Sequence, residues 1–239
     1  MFSLSSRGGP ILRGALAARG IYRSVRNPKG LDGALDLLSA TRGEAMVRDM
    51  VRAMEQSERG RRGLREQPRL GARDLSGLLA LPPGSLGRAY GEMIQALELN
   101  PYGLPDEPSD STETWVLAHL LESHDLLHVV YGADTLPWGE LVLVGLYMAQ
   151  IPNRFHALST LTSLGIPFVM RWELLPLSLE ALSRGFLLGR ETEPFAGYDW
   201  KARLATPLAE VRSELGIPAD VEERVRAPRT VEGFSSAAS

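Results

Sequence analysis

Apolar residues in this chain recur every three to four positions, and glycine and proline fall between the recurring stretches. That period matches one face of an α-helix, and the two-residue alternation of a half-buried strand is nowhere sustained. Nor does any segment repeat another. The patterning predicts an all-α protein, a single-domain multi-helix bundle, and 239 residues are enough to bury a sizeable core.

The punctuation places the helices. Leu31 to Arg61 reads as one or two helices, including Glu44 to Ser57 with Met46, Val47, Met50, Val51 and Met54 at helical spacing. Leu81-Pro82-Pro83-Gly84 breaks the pattern, and Ser85 then caps a helix to about Leu99 with Leu86, Tyr90, Met93, Ile94 and Leu97 inward. Gly87 and Gly91 lie about one turn apart, which lets a neighbouring helix approach closely. After a Pro- and acid-rich loop from Asn100 to Asp110, a helix runs from Thr112 to about Tyr131. Gly132 to Leu136 forms a turn, and Pro137 suits the first position of the helix that ends near Ile151. Ala157 to Arg184 is helical in pattern, with Pro167 and Pro176 expected to kink or divide it. A last helix covers roughly Pro207 to Leu215 and stops at Gly216. The resulting division is a basic first segment or helix over 1–26, a helical domain over 27–217, and a disordered tail over 218–239.

Composition removes several function classes. A net charge of -3 gives no basic field, so no nucleic-acid partner is expected. With no cysteine, thiolate ligands, disulfides and cysteine nucleophiles are all excluded. Any metal must sit on imidazole and oxygen, and the chain has only four histidines. Leu141 to Ile151 is too short to span a bilayer, and Arg171 and Glu173 interrupt Leu161 to Leu179. Contact with a membrane surface is still open, because the first 31 residues carry Arg7, Arg13, Arg19, Arg23, Arg26 and Lys29 and no acid. Such a stretch fits an organelle-targeting segment, a helix on anionic lipid, or a basic first helix behind a frayed terminus.

The histidines are placed informatively. His124 and His128 are four apart, so they project from one helix face and can share a divalent ion. Asp125 is rotated by about 100° from His124 and reaches that ion only at its edge, or stands behind the ligands. Glu140 follows twelve residues after His128, across a turn short enough to fold the next helix back antiparallel. The four residues together predict a metal site between two antiparallel helices. The bland alternative is also open: both histidines share their face with Leu117, Leu120, Leu121 and Leu127, and Glu140 suits a helix N-terminus without any ion. Yet two imidazoles and two carboxylates buried together without a counter-ion would be costly. His119 and His156 fit no ligand spacing and read as structural or surface residues.

Other metal patterns fit less well. A zinc-protease helix has Glu after its first His, where this chain has the shorter Asp125. A His-Asp phosphohydrolase needs a ligand His well upstream, and none precedes His119. Di-iron bundles need two Glu-x-x-His helices, and no such pair occurs.

His124-Asp125-x-x-His128, followed by eleven residues and Glu140, resembles the coenzyme Q biosynthesis protein 4 family. Leu81-Pro82-x-Gly84-Ser85-Leu86-Gly87 with Tyr90 is similar to that family's segment before the metal helix, and Gly139-Glu140-Leu141 to the start of its next helix. Trp200, Pro207-Leu208, Arg212, Leu215 and Ile217 resemble its closing helix. The likeness runs from about Asn27 to Ile217. Two local departures stand out: Val142 to Tyr147 lacks the family's lysine and acid, and Leu120 to Ser123 lacks its arginines.

The resemblance implies a zinc-type site on His124, Asp125, His128 and Glu140. It also implies removal of the C1 carboxyl of a prenylated hydroxybenzoate in ubiquinone biosynthesis, with a hydroxyl replacing it in the oxidative version. The implied partners are a prenylated aromatic or isoprenoid lipid, other quinone-synthesis proteins and a membrane surface, and a homodimer is compatible with it. The implied location is cytoplasmic in a bacterium, with peripheral attachment at the inner membrane as an option, or the mitochondrial matrix side in a eukaryote. Leu117, Leu121, Leu141, Leu143 and Met148 are candidates to line a prenyl channel, or are simply core. Two functions follow: a metal-dependent carbon–carbon lyase, or a non-catalytic prenyl-lipid-binding scaffold whose metal staples two helices.

Overall fold

The computed structural model describes residues 43–71, 74–98 and 110–228, together with 15, 16, 19, 20 and 36. Within them the helical period becomes helices and no strand; a single isolated antiparallel bridge joins Ser85 to Pro207. Helix α1, Glu44–Glu55, buries Met46, Val47, Met50 and Met54, as their spacing requires. Ser57 then caps α2, Glu58–Glu66, accepting the Gly60 N–H. Asp74 caps the short α3, Leu75–Leu79, and Ser85 caps α4, Leu86–Ala96. Helix α4 turns Leu86, Tyr90 and Ile94 inward and keeps Met93 partly buried. Leu97 falls outside the expected inward set and is 44% exposed, because the helix ends at Ala96 and leaves it off the periodic face.

Helix α5, Thr112–Tyr131, is the longest of these helices and has the predicted bounds. Ser111 and Thr114 form a reciprocal capping box at its start, and Gly132 ends it with φ of +69°, a conformation a side chain would strain. It is buried nearly all round, with Trp115, Val116, Leu126, Leu127, Val130 and Tyr131 fully covered. Two arginines hold its position. Arg69 pairs with Glu122, whose carboxylate also accepts the N–H groups of Leu70 (3.0 Å) and Gly71 (3.3 Å). Burial pushes the Glu122 carboxyl up, but these hydrogen bonds outweigh it and hold it below its ordinary value. At its C-terminal end, Arg212 donates to the carbonyls of Val130 (2.8 Å) and Val129 (3.2 Å), closing the negative helix terminus.

Helix α6, Pro137–Gln150, starts on the predicted proline. Helix α7, Arg154–Met170, carries the chain back, a 3-10 turn at Trp172–Leu174 follows, and α8, Leu175–Glu191, runs beside α6 in the same direction. The division expected at Pro167 occurs at Arg171 instead. Helix α7 runs through Pro167, which withholds one backbone N–H from it; Pro176 sits in the first turn of α8, where no N–H is needed. A second 3-10 turn, Lys201–Arg203, leads to α9, Leu208–Glu214, which Gly216 ends at φ of +62°. The tail expected from residue 218 contributes α10, Val221–Val225, with Val221 and Val225 buried; 229–239 and most of 1–26 lie outside the described residues.

The α6–α8 contact is backbone to backbone. A Cβ on Gly145 would lie 2.2 Å from the Leu182 carbonyl oxygen, and one on Gly185 would lie 1.8 Å from that of Val142. Within the apolar run from Val142 to Tyr147, a departure from the resembled family, Val142, Gly145 and Leu146 therefore supply the surface that seats α6 on α8. Gly145→Ala should lower stability by about 1–3 kcal/mol through overpacking, read as a lower urea midpoint at constant slope.

His119 is a structural histidine. It is buried, stacks on Trp115 at 5.0 Å and accepts the Gly197 N–H at 3.0 Å. Burial pulls its pKa down to about 4. The unfolded chain binds that proton near the ordinary value of 6.5, so this contribution is full above pH 6.5 and is lost as pH falls toward 4. It amounts to up to about 3 kcal/mol. His119→Gln should flatten the stability–pH curve in that window; an unchanged slope would contradict this assignment.

Candidate metal centre

The site is built where α5 ends and α6 begins. His124 and His128 face one way because they are one turn apart, and the turn through residues 132–136 brings Glu140 opposite them. Glu140 Oε1 lies 3.2 Å from His128 Nε2, and Oε2 lies 3.5 Å from His124 Nε2. Ligand atoms of the three residues all fall within 4.8 Å of one another. The imidazoles meet edge to face, with ring centroids 5.1 Å apart and planes at 86°. Both Nε2 atoms thus approach the one Glu140 carboxylate, each at a different oxygen.

The turn also prepares the ligands. Asp134 Oδ1 accepts the N–H groups of Leu136 (2.9 Å) and Gly139 (3.2 Å), which satisfies the opening of α6 and fixes the angle at which Glu140 leaves it. The Ala133 carbonyl lies 3.2 Å from His128 Nδ1 and accepts a hydrogen bond from it, so Nε2, which donates to Glu140 while it carries a proton, is the nitrogen that can offer a lone pair to an ion. Two imidazole nitrogens and a carboxylate are the hard-to-borderline set that first-row divalent ions, zinc among them, accept without sulfur. A tetrahedral ion with bonds of about 2.0–2.1 Å separates its ligand atoms by roughly 3.3 Å; the three ligand atoms here lie within 4.8 Å of one another, so small side-chain rotations would close them on an ion. The residues fit the group.

Charge reinforces that geometry. Burial works against the Glu140 carboxylate, yet hydrogen bonds from His124 and His128 and their charge hold it well below the usual range. Burial likewise pulls the His124 imidazole down, while Glu140 and then Asp125 push it up, and the net direction is up. His128 is sealed at 2% side-chain exposure, whereas His124 at 28% and Glu140 at 43% leave one side of the cluster open.

The four predicted residues therefore divide. His124, His128 and Glu140 come together; Asp125 stands outside the group of mutually close ligand atoms, and its negative charge bears on His124 and Tyr147 from the rim. His156, read from sequence as structural or surface, is buried beside the site, and the burial pulls its pKa down to about 4. Tyr147 is the neighbour that ligand spacing did not single out. Its ring stacks on His124 (6.1 Å, planes at 14°) and on His156 (4.5 Å, 30°). The signal for it was present, since Tyr147 follows Glu140 by seven residues and so shares its helix face.

In metal-free protein His124 should titrate above 6.5, because the Glu140 charge overcomes the cost of burial. Glu140→Gln should move that midpoint below 6.5, as followed by NMR of the ring protons; no downward movement would remove Glu140 as the cause.

Residues 10–220 match the family described as coenzyme Q (ubiquinone) biosynthesis protein Coq4. The mitochondrial ubiquinone biosynthesis protein coq4 of Talaromyces stipitatus is 30% identical over 233 residues, covering 93% of this chain and 78% of that protein. The mouse mitochondrial homologue is 30% identical over 220 residues, covering 87% and 79%. The crystal structure of a protein assigned to ubiquinone biosynthesis in Nostoc punctiforme superposes with a TM-score of 0.74 at 20% identity, over 87% of this chain and 97% of that one, and shows the same fold.

Proposed function

Because the chain belongs to the coenzyme Q (ubiquinone) biosynthesis protein Coq4 family, we propose that it is the pathway's metal-dependent lyase, removing the C1 carboxyl of a prenylated hydroxybenzoate. The observation that carries this reading is the three-residue donor set with one open side. Three protein ligands and a free position suit catalysis, whereas a closed set of four suits a structural ion. A bound divalent ion, zinc by its ligand types, would supply a Lewis-acid contact for the substrate's oxygens.

The remaining work falls to the chain. His128, sealed and held by Ala133, fixes one edge of the site, and the half-exposed Glu140 fixes the opening. Asp125 adds negative charge at the rim, which favours a cation below it. In the reaction the bond from C1 to the carboxyl breaks, carbon dioxide leaves, and the electron pair remaining on C1 takes a proton. In the oxidative version dioxygen takes up that pair, one of its oxygen atoms stays on C1 as the hydroxyl, and the other leaves as water with two electrons from an external reductant and protons from solvent.

The substrate's tail belongs to the lipid phase. No described helix is long and apolar enough to cross a membrane. Exposed apolar side chains instead gather on the consecutive elements α7, the 3-10 turn and α8, where Phe168 is 67% and Trp172 72% exposed, with Leu161 and Leu187 beside them in sequence order. We assign these to contact with a bilayer surface, in keeping with relatives named as mitochondrial ubiquinone-synthesis proteins. Replacing Phe168 and Trp172 with serine should reduce co-sedimentation with phospholipid vesicles; unchanged co-sedimentation would contradict the assignment.

The scaffold reading, in which the ion only staples α5 to α6, predicts a different outcome for one variant. Glu140→Ala should abolish decarboxylation of the prenylated acid while far-UV circular dichroism and the melting midpoint stay close to wild type. Global unfolding of the same variant would favour the staple. Metal analysis of carefully purified protein should find about one ion per chain, the stoichiometry of a three-ligand site; its absence would sink both readings.

A further inference from the structure

An imidazole that binds a metal needs its second ring nitrogen held, because that contact fixes both the tautomer and the plane of the ring. His128 has its partner in the Ala133 carbonyl at 3.2 Å. His124 is placed differently. The polar atom facing its Nδ1 is the hydroxyl of Tyr147, at 3.5 Å, on the opposite helix.

We infer that Tyr147 is the positioning residue for His124, its hydroxyl accepting the Nδ1–H so that Nε2 is presented to the ion beside Glu140. The inference rests on the metal reading above and assigns a role that the ligand spacing does not contain. The hydrogen bond is long, and the ring contacts make the placement independent of it. Tyr147 lies nearly parallel to His124, with planes at 14°, so the two rings set each other's orientation. Behind it, His156 stacks at 4.5 Å, and Phe195 meets it edge-on at 5.2 Å with planes at 87°. His156 is itself tied down, its Nδ1 lying 2.9 Å from the Ile151 carbonyl. A tyrosine clamped on three sides holds its hydroxyl in one place.

The choice of a hydroxyl has a chemical consequence. A carbonyl only accepts, so Ala133 commits His128 to carrying its proton on Nδ1. A phenol both donates and accepts, so Tyr147 can pair with His124 whether Nδ1 is bare or protonated. Without an ion, Nε2 can carry the proton and donate to Glu140 while Nδ1 accepts from the phenol. With an ion, Nε2 must be bare, and the proton on Nδ1 is donated to the phenol oxygen. One ligand is thus committed in advance, and the other can rearrange as the site fills.

The test compares the full-length wild type, Tyr147→Phe and Glu140→Ala for zinc affinity, by competition with a chromophoric chelator. Tyr147→Phe keeps the ring stack and removes only the hydroxyl. It should bind zinc about 10–100-fold more weakly, the range for loss of such a supporting contact, with an unchanged melting midpoint in the metal-free state. A second readout is NMR of the zinc-bound protein, in which the His124 Nδ1 proton should be protected from solvent exchange in wild type and exchange rapidly in the variant. Wild-type affinity in Tyr147→Phe, or an equally protected proton, would overturn the inference. Should Glu140→Ala bind zinc as tightly as wild type, the metal reading itself fails and takes this inference with it.

Discussion

The site depends on one turn. Between α5 and α6, residues 132–136 do three things at once: Gly132 reverses the chain from a left-handed conformation, Asp134 caps the opening of α6, and the Ala133 carbonyl accepts a hydrogen bond from His128. Each contact is ordinary for a helix–helix connection. Together they place Glu140 across from two imidazoles and settle which nitrogen of His128 faces it. A longer connection would leave the carboxylate's position to side-chain packing alone.

The rest of the bundle holds that turn in place. Arg69 and the N–H groups around Gly71 grip Glu122 on α5, and Arg212 closes the far end of the same helix. On the other side, α6 lies against α8 at backbone distance through Gly145 and Gly185. The two ligand-bearing helices are therefore fixed by unlike means: α5 by charged hydrogen bonds at its middle and its C-terminal end and burial along its length, α6 by close packing. Where they meet, the Tyr147 ring of α6 lies nearly parallel to His124 of α5 and tilted against His156 of α7.

Local features were the legible ones. The bounds of α5, the proline that opens α6 and the encounter of Glu140 with His124 and His128 all follow from spacing within about thirty residues, where chain geometry leaves few choices. The family's identity followed from the same motif and its flanks, and the match over residues 10–220 bears it out. What sequence left open was set by tertiary packing. The place of Asp125 depends on the rotation of α5 against α6, and Tyr147 becomes a neighbour of His124 only once that rotation is fixed. Pro167 reads as a break, yet α7 continues through it to Met170, and the division falls at Arg171. Leu97 fitted the inward period of α4 until the helix stopped one residue short of it.

The central claim is that His124, His128 and Glu140 hold a divalent ion and leave a position free. X-ray absorption at the zinc edge on purified full-length protein addresses it directly. The account predicts two imidazole nitrogens and oxygen ligands at about 2.0–2.1 Å, with one oxygen exchangeable for an added carboxylate. A spectrum without imidazole scattering, or four protein ligands that no carboxylate displaces, would contradict it.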